Sequence, residues 1–291
     1  MNLINKVVDE ICRSVGWLFW NPIQIFISNH ADCFQYHRLL KLRFFGNPFM
    51  IQENSWYGHS RAIKNAGGSG FGSRIEHGVF FAENTIKDME GVFTSNTIRF
   101  FRLRRVYTYS ERRRRLVLKY LLSRGLNMEV IAIGPYIRYA HHFYSKKELD
   151  RLKRKLGRVL LVYPQHSTET VIHNYDLNVI VEHIKRLKSS YDTVLVSLYW
   201  ADILRGDAQT YEAAGCIVVC AGRREDPNSL SRQKDILTLA DRILSNTVGT
   251  YVGYAISMGK PCTLFRQDVE TKVCTEAELQ NHTGSKANMD P

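Results

Sequence analysis

The chain has no excess of glycine or proline, no long apolar run and no closely paired cysteines, and each absence excludes a class of protein. Its 19 glycines and 7 prolines among 291 residues are too few for a collagen-like or low-complexity chain. No window reaches the roughly 18 apolar residues that a membrane-spanning helix needs. The opening segment contains acidic side chains and no small-residue cleavage site, so we expect a protein that is neither integral nor secreted. The 6 cysteines form no CxxC pair, which favours a reduced, cytosolic protein.

The chain also lacks the signatures of several enzyme families. It contains no GxxxxGK[ST] phosphate loop, no GxSxG elbow, no HExxH helix and no Cys/His zinc spacing. A DxD pair, which metal-dependent sugar transferases often use, does not occur either. These absences favour chemistry without a metal site and without a bound cofactor.

The composition is that of a folded protein with a basic surface. With 44% hydrophobic and 11% aromatic residues, the chain can bury one large core or two modest ones. Lys and Arg number 40 against 28 Asp and Glu, which leaves a formal net charge of +12. Such a charge favours anionic partners: nucleotides, acidic glycans, nucleic acids or anionic membranes.

The second half of the sequence alternates apolar runs of strand length with segments of helical period. Continuous apolar strands between amphipathic helices predict a parallel sheet covered on both faces, so we expect a Rossmann-like domain over residues 155–267. The predicted strands are 158–164, 193–200, 216–222, 242–245 and 261–265, with helices near 176–189, 207–213, 228–238 and 248–258. The polar remainder, 268–291, has no periodicity and is expected to be loosely ordered.

The first half is less regular, but it also mixes strands and helices. We expect a helix over 111–124, because Ser110 stands where an N-cap is needed, and an opening helix over 2–19. The predicted strands are 23–28, 49–53, 74–81, 106–110 and 128–134. The predicted fold class is therefore α/β, with two Rossmann-like domains that face each other across a cleft. The first covers residues 1–145 and would hold an acceptor substrate, and the second is the domain over 155–267.

The strongest local signal lies between a short predicted strand and the helix that follows it. Ser245, Asn246, Gly249 and Thr250 place hydroxyls and free backbone N–H groups at the carboxyl edge of the sheet, where phosphates bind in parallel α/β proteins. The alternative is an ordinary helix start in which Ser245 or Thr250 is the cap.

Three other predicted strand ends carry polar or aromatic side chains. His166 and Ser167 follow the strand at 158–164 and could contact a nucleotide phosphate. Arg223 and Arg232 follow the strand at 216–222 and could clamp a phosphate. The alternative for these arginines is pairing with nearby carboxylates on the surface. The alternative for His166 is an ordinary turn residue. Tyr199 could stack on a base or sugar, although core packing is the more frequent role of such a residue.

A glycine-rich segment, 67–72, precedes the strand predicted at 74–81. The glycines of a dinucleotide-binding fingerprint would follow a strand instead. We therefore interpret this segment as a flexible loop that could shape the binding site of an acceptor substrate. Glu76 and His77 lie before Gly78, and Glu83 follows shortly after. An acid or imidazole at such a bend suits a general base, whereas the alternative is a histidine buried for structure.

Four segments carry a resemblance to a known family: GPYIRYA (134–140), YPQHSTETV (163–171), TVLVSLYWADI (193–203) and SNTVGTYVGYAISMGKP (245–261). With them, the chain resembles GT-B glycosyltransferases of bacterial capsule, O-antigen and other surface-polysaccharide biosynthesis over most of residues 74–267. It is more remotely similar to sialyl-, polysialyl- and Kdo-type transferases. Those enzymes have an acidic pair before a glycine, a His-Pro pair and a later Ser-Ser/Thr pair. The partial matches in this chain are Glu76-His77-Gly78, His166-Ser167 and Ser245-Asn246.

The resemblance implies metal-independent transfer of a sugar from a nucleotide-sugar donor to a growing surface polysaccharide or lipid-linked glycan. It implies that Glu76 or His77, or less directly Glu83, is the general base. It also implies a protein of the cytoplasm that could contact the inner face of the membrane. The residues implied to hold the donor are His166, Ser167, Arg223, Ser245, Asn246, Gly249 and Thr250.

Three alternatives to sugar transfer remain open at this point. A non-hydrolysing nucleotide-sugar epimerase shares the GT-B architecture, and a CDP-alcohol could instead donate a polyol phosphate. The net charge of +12 and the basic run at 111–115 would also suit a non-catalytic protein that binds nucleic acid or an anionic membrane. Nucleic acid is the less favoured partner, because the arginines and hydroxyls concentrate at strand ends rather than over one outer face.

Overall fold

The chain folds as an α/β protein with parallel sheets. The computed structural model describes residues 14–78, 93–168 and 171–273, and the structural statements below concern those residues. Glu83, most of the predicted opening helix and the chain after residue 273 lie outside them.

Ten strands form three sheets in the described part of the chain. β1, β2 and β3 make a parallel sheet in the first half, and β5 pairs antiparallel with β10. The strands are β1 Ser73–Ile75, β2 Arg105–Thr108, β3 Glu129–Ala132, β4 Val159–Tyr163, β5 Val171–Asn174, β6 Thr193–Ser197, β7 Ile217–Val219, β8 Arg242–Ser245, β9 Cys262–Leu264 and β10 Glu270–Val273.

The five-stranded sheet of the second half has the order β7-β6-β4-β8-β9, with every pair parallel. Counted along the chain within this sheet, the order is third, second, first, fourth, fifth, which is that of the Rossmann fold. All five residues of the central strand β4 are buried, as a strand covered by helices on both faces requires. The prediction of a parallel α/β unit is confirmed.

The described part of the chain contains eleven α-helices, three of which precede β1. Ser110 caps α5 by accepting a hydrogen bond from the Arg113 N–H, as predicted, and Ser145 and Glu148 form a capping box at α6. The helices are α1 Asn21–Asn29, α2 Tyr36–Leu40, α3 His59–Asn65, α4 Ser95–Phe101, α5 Glu111–Ser123, α6 Lys146–Leu156, α7 Leu177–Lys188, α8 Trp200–Arg205, α9 Asp207–Ala213, α10 Ser229–Leu239 and α11 Thr250–Ser257.

Two strands predicted in the first half are wrong. Residues 23–28 belong to α1, which continues a π-helical turn at Gly16–Trp20; Pro22 sits at the helix start, where its fixed φ is favourable. Residues 52 and 53 begin a 3₁₀ segment, Gln52–Gly58. Asn54 in that segment donates to the carbonyls of Gly70 and Ser73, a long-range constraint that a five-residue apolar window does not contain.

The prediction of a loosely ordered tail from residue 268 is also wrong for residues 270–273, because β10 pairs with β5. Both strands are only four residues long and include polar side chains, so neither gives a strong apolar signal. The remainder of the tail lies outside the described residues.

The two parallel sheets share one buried core. Ile75, Tyr107 and Tyr136 from the first half belong to the same hydrophobic cluster as Leu161 and Leu195 from the second. Residues 28–36, which the domain prediction assigns to the first half, pack on the second sheet. There Tyr36 donates to Glu212, and the Cys220 N–H donates to the Cys33 carbonyl.

None of the described helices is both long enough and apolar enough to cross a bilayer.

Candidate functional site

A cavity of about 160 Å³ lies at the carboxyl ends of the parallel strands of the second sheet. β4 and β8 are adjacent at the point where the strand order reverses, which is where ligands bind in open α/β sheets. Four strand ends contribute to the lining: Pro164 and His166 follow β4, Leu198 and Tyr199 follow β6, Gly222 follows β7 and Thr250 follows β8. Four of the five strands of this sheet therefore end at the cavity.

The first sheet closes the cavity from the other side. His77 and Gly78 follow β1 and line the cavity together with Thr250. Gly78 has a φ of +90°, and a Cβ at this position would lie 3.2 Å from Thr250 Oγ1. A side chain is disfavoured there both by the conformation and by the space. The loop that carries the predicted base thus meets the turn that carries the predicted phosphate site.

Tyr57 and His59 form a second part of the wall, and sequence analysis did not identify either. The chain turns sharply here, because Tyr57 has a φ of +56° and Gly58 of +82°. The Tyr57 ring stacks on His77, with ring centroids 5.2 Å apart and 4° between the planes. Its hydroxyl lies 3.3 Å from the hydroxyl of Tyr199. The turn therefore links His77 with the end of β6.

Three histidines line the cavity, and protein surroundings keep all three neutral. The pKa of His77 is lowered to about 4 by desolvation and by the positive charges of Arg74 and Arg224. The pKa of His166 is lowered to about 4 by desolvation and by His173, and that of His59 falls well below its ordinary value for the same first reason. A neutral imidazole offers one N–H donor and one acceptor nitrogen, so it can both bind a phosphate oxygen and accept a proton.

His59 Nδ1 has no hydrogen-bond partner among the described residues, although the residue is only 2% exposed. Buried polar atoms are almost always paired, and an unpaired one in a cavity wall is available to a ligand. His59 stands between the rings of His77 and Tyr136, at centroid distances of 5.9 and 5.0 Å.

The turn between β8 and α11 is shaped by Ser245. Its buried hydroxyl contacts the Tyr163 carbonyl at 2.6 Å and accepts from the Thr247 N–H at 3.2 Å. The N-cap of α11 is Gly249, which makes no side-chain cap hydrogen bond. The N-cap residue is therefore neither Ser245 nor Thr250. The first-turn N–H groups of a helix point along its axis toward the preceding loop, which here is the cavity edge.

The loop after β4 is held in place by hydrogen bonds from neighbouring elements. The Ser167 N–H donates to Asp202 at 3.1 Å, and the Ser167 hydroxyl accepts from the His173 N–H. Asn246 accepts from the Gln165 N–H at 2.8 Å. Ser167 and Asn246 thus fix the loop that presents His166, and His166 itself packs against Tyr199 at a centroid distance of 4.9 Å.

Glu76 does not line the cavity. It is 4% exposed, and its carboxylate accepts three hydrogen bonds from Arg113 and one from Thr108. Both carboxylate oxygens are therefore occupied by protein donors, and Glu76 is not placed to contact a substrate in the cavity. Of the predicted bases, His77 is the one at the cavity, and Glu83 lies outside the described residues.

The two predicted phosphate-binding arginines have other partners. Arg232 is fully buried and binds Asp226, the carbonyls of Ser28, Ala31 and Ala221, and the Ser28 hydroxyl. Arg223 lies over the Trp200 ring and donates to the Leu40 carbonyl. The predicted role for Arg232 therefore needs correction, because every donor of a fully buried guanidinium is already directed at protein.

The cavity contains five tyrosines, and the sequence analysis considered only Tyr199 among them. Tyr163 and Tyr251 stack on each other at 4.5 Å, and Gln233 donates to the Tyr163 hydroxyl. For Tyr163, Tyr251 and Tyr254, the signal that could have found them is their position at a strand end or in the first turns of α11; Tyr57 carries no such signal. The full set is Tyr57, Tyr163, Tyr199, Tyr251 and Tyr254.

Within the described residues, no group of three or more His, Cys, Asp or Glu side chains is arranged to hold a metal ion. The comparisons with known proteins found no match to any family model, curated protein or solved structure. The functional argument therefore depends on the cavity itself.

Proposed function

We propose that the chain is a glycosyltransferase that moves a sugar from a nucleotide-sugar donor to a surface polysaccharide or lipid-linked glycan. One observation carries the proposal: His77, which follows a strand of the first sheet, shares a cavity with His166 and Thr250 at the switch point of the second sheet. Such a transfer needs a donor site and a general base at the same cavity, and here the two come from different sheets.

The donor's phosphates would bind at the start of α11. Backbone N–H groups and the positive end of the helix dipole favour an anion there, and Thr250 adds a hydroxyl. His166, held by its loop, would donate to a phosphate oxygen from the opposite side. The tyrosine rings and hydroxyls of the cavity would contact the base and the sugar, since such side chains offer both an apolar face and a polar edge.

The transfer step would use His77 as the general base. The neutral ring accepts the proton of the acceptor hydroxyl through its unprotonated nitrogen, and the hydroxyl oxygen forms a bond to the anomeric carbon. The bond between that carbon and the donor phosphate oxygen breaks, and its electron pair stays on the phosphate. The N–H groups at α11 and the His166 donor would stabilise this charge. The proton remains on His77 until solvent removes it.

The finer architecture and location form part of the same proposal. A GT-B arrangement, with the acceptor on the side of the first sheet, follows from the resemblance of the sequence. The net charge of +12 would favour an acidic acceptor or the inner face of the membrane, where lipid-linked glycans are assembled.

Calorimetric titration with CMP, CDP, UDP, GDP and ADP tests the donor site. One pyrimidine nucleotide should bind with 1:1 stoichiometry, and binding should persist at high salt and in EDTA. His166→Ala should weaken it at least about tenfold, the loss of one charge-assisted hydrogen bond. His141→Ala, an exposed histidine outside this cavity, is the matched control and should bind like the wild type.

The alternatives give different results in the same preparation. Salt-sensitive binding of oligonucleotides without any mononucleotide binding would refute the proposal and indicate a nucleic-acid protein. Conversion of a nucleotide sugar to its epimer in the absence of an acceptor would mean that the protein is an epimerase and would refute the proposed transfer. Release of free nucleotide from one donor, slowed by His77→Asn, supports transfer with water as a poor acceptor.

A further inference from the structure

The first described helix has its polar side chains inside and its apolar side chains outside. Asn21, Gln24 and Ser28 are the buried residues of α1. All three make hydrogen bonds to the rest of the chain: Asn21 to the backbone of Phe45, Gln24 to the Arg43 N–H, and Ser28 to Asp226. They recur at helical spacing, so one face of the helix is a polar docking stripe.

The opposite face is apolar and exposed. We call this set the outward apolar face: Val15, Leu18, Phe19, Ile23 and Phe26, which are between 50% and 72% exposed. Ile23 and Phe26 lie three residues apart in α1, which places them on one side of that helix. Val15, Leu18 and Phe19 extend this exposed set into the π-helical turn at Gly16–Trp20 that precedes α1. Trp20 at its edge is 47% exposed. A surface helix normally buries its apolar side and exposes its polar side, and here the relation is reversed.

The neighbouring segment extends the apolar surface. Phe45 and Phe49 are 38% and 66% exposed, and the Phe45 ring lies close to Gly16. Trp17 makes an edge contact with Phe49, with centroids 6.0 Å apart. A cluster of large apolar side chains of this kind marks an interaction surface, whereas single exposed apolar residues are ordinary.

The charges near this face indicate what kind of surface it would bind. Residues 14–31 contain no Lys, Arg, Asp or Glu. The next cationic residues along the chain, Arg38, Lys41 and Arg43, are all exposed, and the segment that carries them contacts α1 where the Arg43 N–H donates to Gln24. Asp32 is the one acidic residue in the sequence 14–52, and its carboxylate accepts from the N–H groups of Phe34 and Gln35. An apolar face with a basic border matches an anionic lipid surface. Two copies of the chain paired through it would bring their basic borders together.

We propose that the outward apolar face docks on a bilayer surface that carries anionic phospholipids, with α1 lying in the plane of the interface. The polar stripe formed by Asn21, Gln24 and Ser28 attaches the helix to the protein. In an isolated interfacial helix the polar face contacts water, whereas here it contacts the rest of the chain. Phe19, Phe26 and Trp20 would enter the headgroup boundary, where aromatic side chains are favoured. This inference does not depend on the transferase activity.

Co-sedimentation of the full chain with vesicles tests the proposal. The wild type should bind phosphatidylcholine vesicles that contain phosphatidylglycerol and bind vesicles of phosphatidylcholine alone more weakly. Phe19→Ser with Phe26→Ser should lower the partition constant at least about tenfold, because two large apolar side chains no longer leave water. Phe71→Ser, at a 59% exposed phenylalanine of another segment, is the control and should bind like the wild type.

A second pair of variants tests the basic border. Lys41→Glu with Arg43→Glu should weaken binding about tenfold or more and reduce its salt dependence. Lys147→Glu with Arg151→Glu changes the net charge equally on the exposed side of α6 and should leave binding nearly unchanged. Equal loss in both charge variants would mean that the net charge attracts the vesicles without a defined surface.

Three outcomes would overturn the proposal. Unchanged vesicle binding by the double phenylalanine variant would remove the face from the contact. A concentration-dependent dimer, dissociated by that variant and indifferent to vesicles, would assign the face to a second copy. A lower melting temperature of the variant, with no wild-type vesicle binding, would mean that another part of the chain covers the face. The variant's nucleotide affinity, measured alongside, should equal that of the wild type, which separates this inference from the proposed function.

Discussion

At the scale of single residues, His77 carries the chemical prediction. His77→Asn should lower the rate of donor cleavage about 100- to 10,000-fold, the usual contribution of a positioned general base. Nucleotide affinity should change little, because the nucleotide contacts are assigned to the second sheet. Initial rates and calorimetric titration on the same preparation measure the two effects separately.

The pKa of His77 also predicts a pH profile. Because the pKa is lowered to about 4, the ring is in its proton-accepting form at neutral and weakly acidic pH. For the free enzyme, kcat/KM should therefore stay flat as the pH falls and should decline only as it approaches 4. A decline centred near 6.5, the ordinary histidine value, would mean that the base is a solvated histidine or that the cavity is open to water.

Gly58 offers a test of the turn that presents Tyr57. Its φ is +82°, and a Cβ would lie 2.3 Å from the Pro227 carbonyl oxygen. Gly58→Ala should cost about 1 kcal/mol for the backbone conformation and more for the displaced loop, to a total of about 2–4 kcal/mol. Urea unfolding measures this loss.

Gly67→Ala is the matched control for that substitution. Gly67 has nearly the same φ, +84°, and nothing lies within 4 Å of its Cβ position. Its cost should be limited to the backbone contribution of about 1 kcal/mol. Equal losses in the two variants would show that Pro227 yields easily and that the turn is not fixed by contact with the second half of the chain.

At the scale of elements, Arg232 joins the segment after α1 to α10. Arg232 and Asp226 are both fully buried and paired at 2.8 Å. Arg232→Met should destabilise the chain by about 3–5 kcal/mol, because it leaves a buried carboxylate without its partner. Adding Asp226→Leu should recover part of the loss. Lys146→Met removes an exposed pair with Asp150 and should have little effect.

Nucleotide binding distinguishes this structural role from the phosphate-binding role predicted from sequence. Where Arg232→Met remains folded, its nucleotide affinity should match that of the wild type. A stable variant that has lost the nucleotide would restore Arg232 to the donor site and contradict the contacts seen in the structure.

The same elements show how far the sequence alone predicts this fold. α5 and β8 were predicted within a residue, because Ser110 is a local cap signal and the short segment 242–245 is bounded by Asp241 and Asn246. α1 was predicted as a strand, because a helix that buries Asn21, Gln24 and Ser28 has no inward apolar stripe for periodicity to detect. β5 and β10 carry too few apolar residues for either to be recognised without the other.

The candidate site divides in the same way. His166 and Thr250 could be found because each follows a predicted strand, and parallel strands end at a common edge. His77 lies inside the predicted strand 74–81 and was found by its residue type beside Gly78; the observed strand ends at Ile75, which brings His77 to that edge. Tyr57 and His59 could not, because their position depends on a positive-φ turn packed against Pro227, far away in the sequence. Glu76 and Arg232 have residue types suited to catalysis and phosphate binding, but their partners are fixed by tertiary contacts that no local window contains.

At the scale of the whole molecule, the shared core predicts one cooperative unfolding transition. Tyr107 and Tyr136 pack in the same cluster as Leu161 and Leu195, and the hydroxyls of Tyr109 and Tyr254 are hydrogen-bonded between the two halves. Neither sheet can lose its packing without exposing the other. Far-UV and near-UV circular dichroism should give coincident melting curves, and the calorimetric and van't Hoff enthalpies should agree.

A bound nucleotide sharpens that prediction, because its proposed contacts lie mainly on the second sheet. At a hundredfold excess over Kd, the ligand should add about 2.7 kcal/mol to the stability of the native state, and the whole transition should move to higher temperature. Two resolved transitions, of which the nucleotide shifts only one, would mean that the halves unfold independently. The cavity between them would then close only when the ligand binds, and His77 would reach the donor site through domain movement instead of through a cavity that it already shares with Thr250.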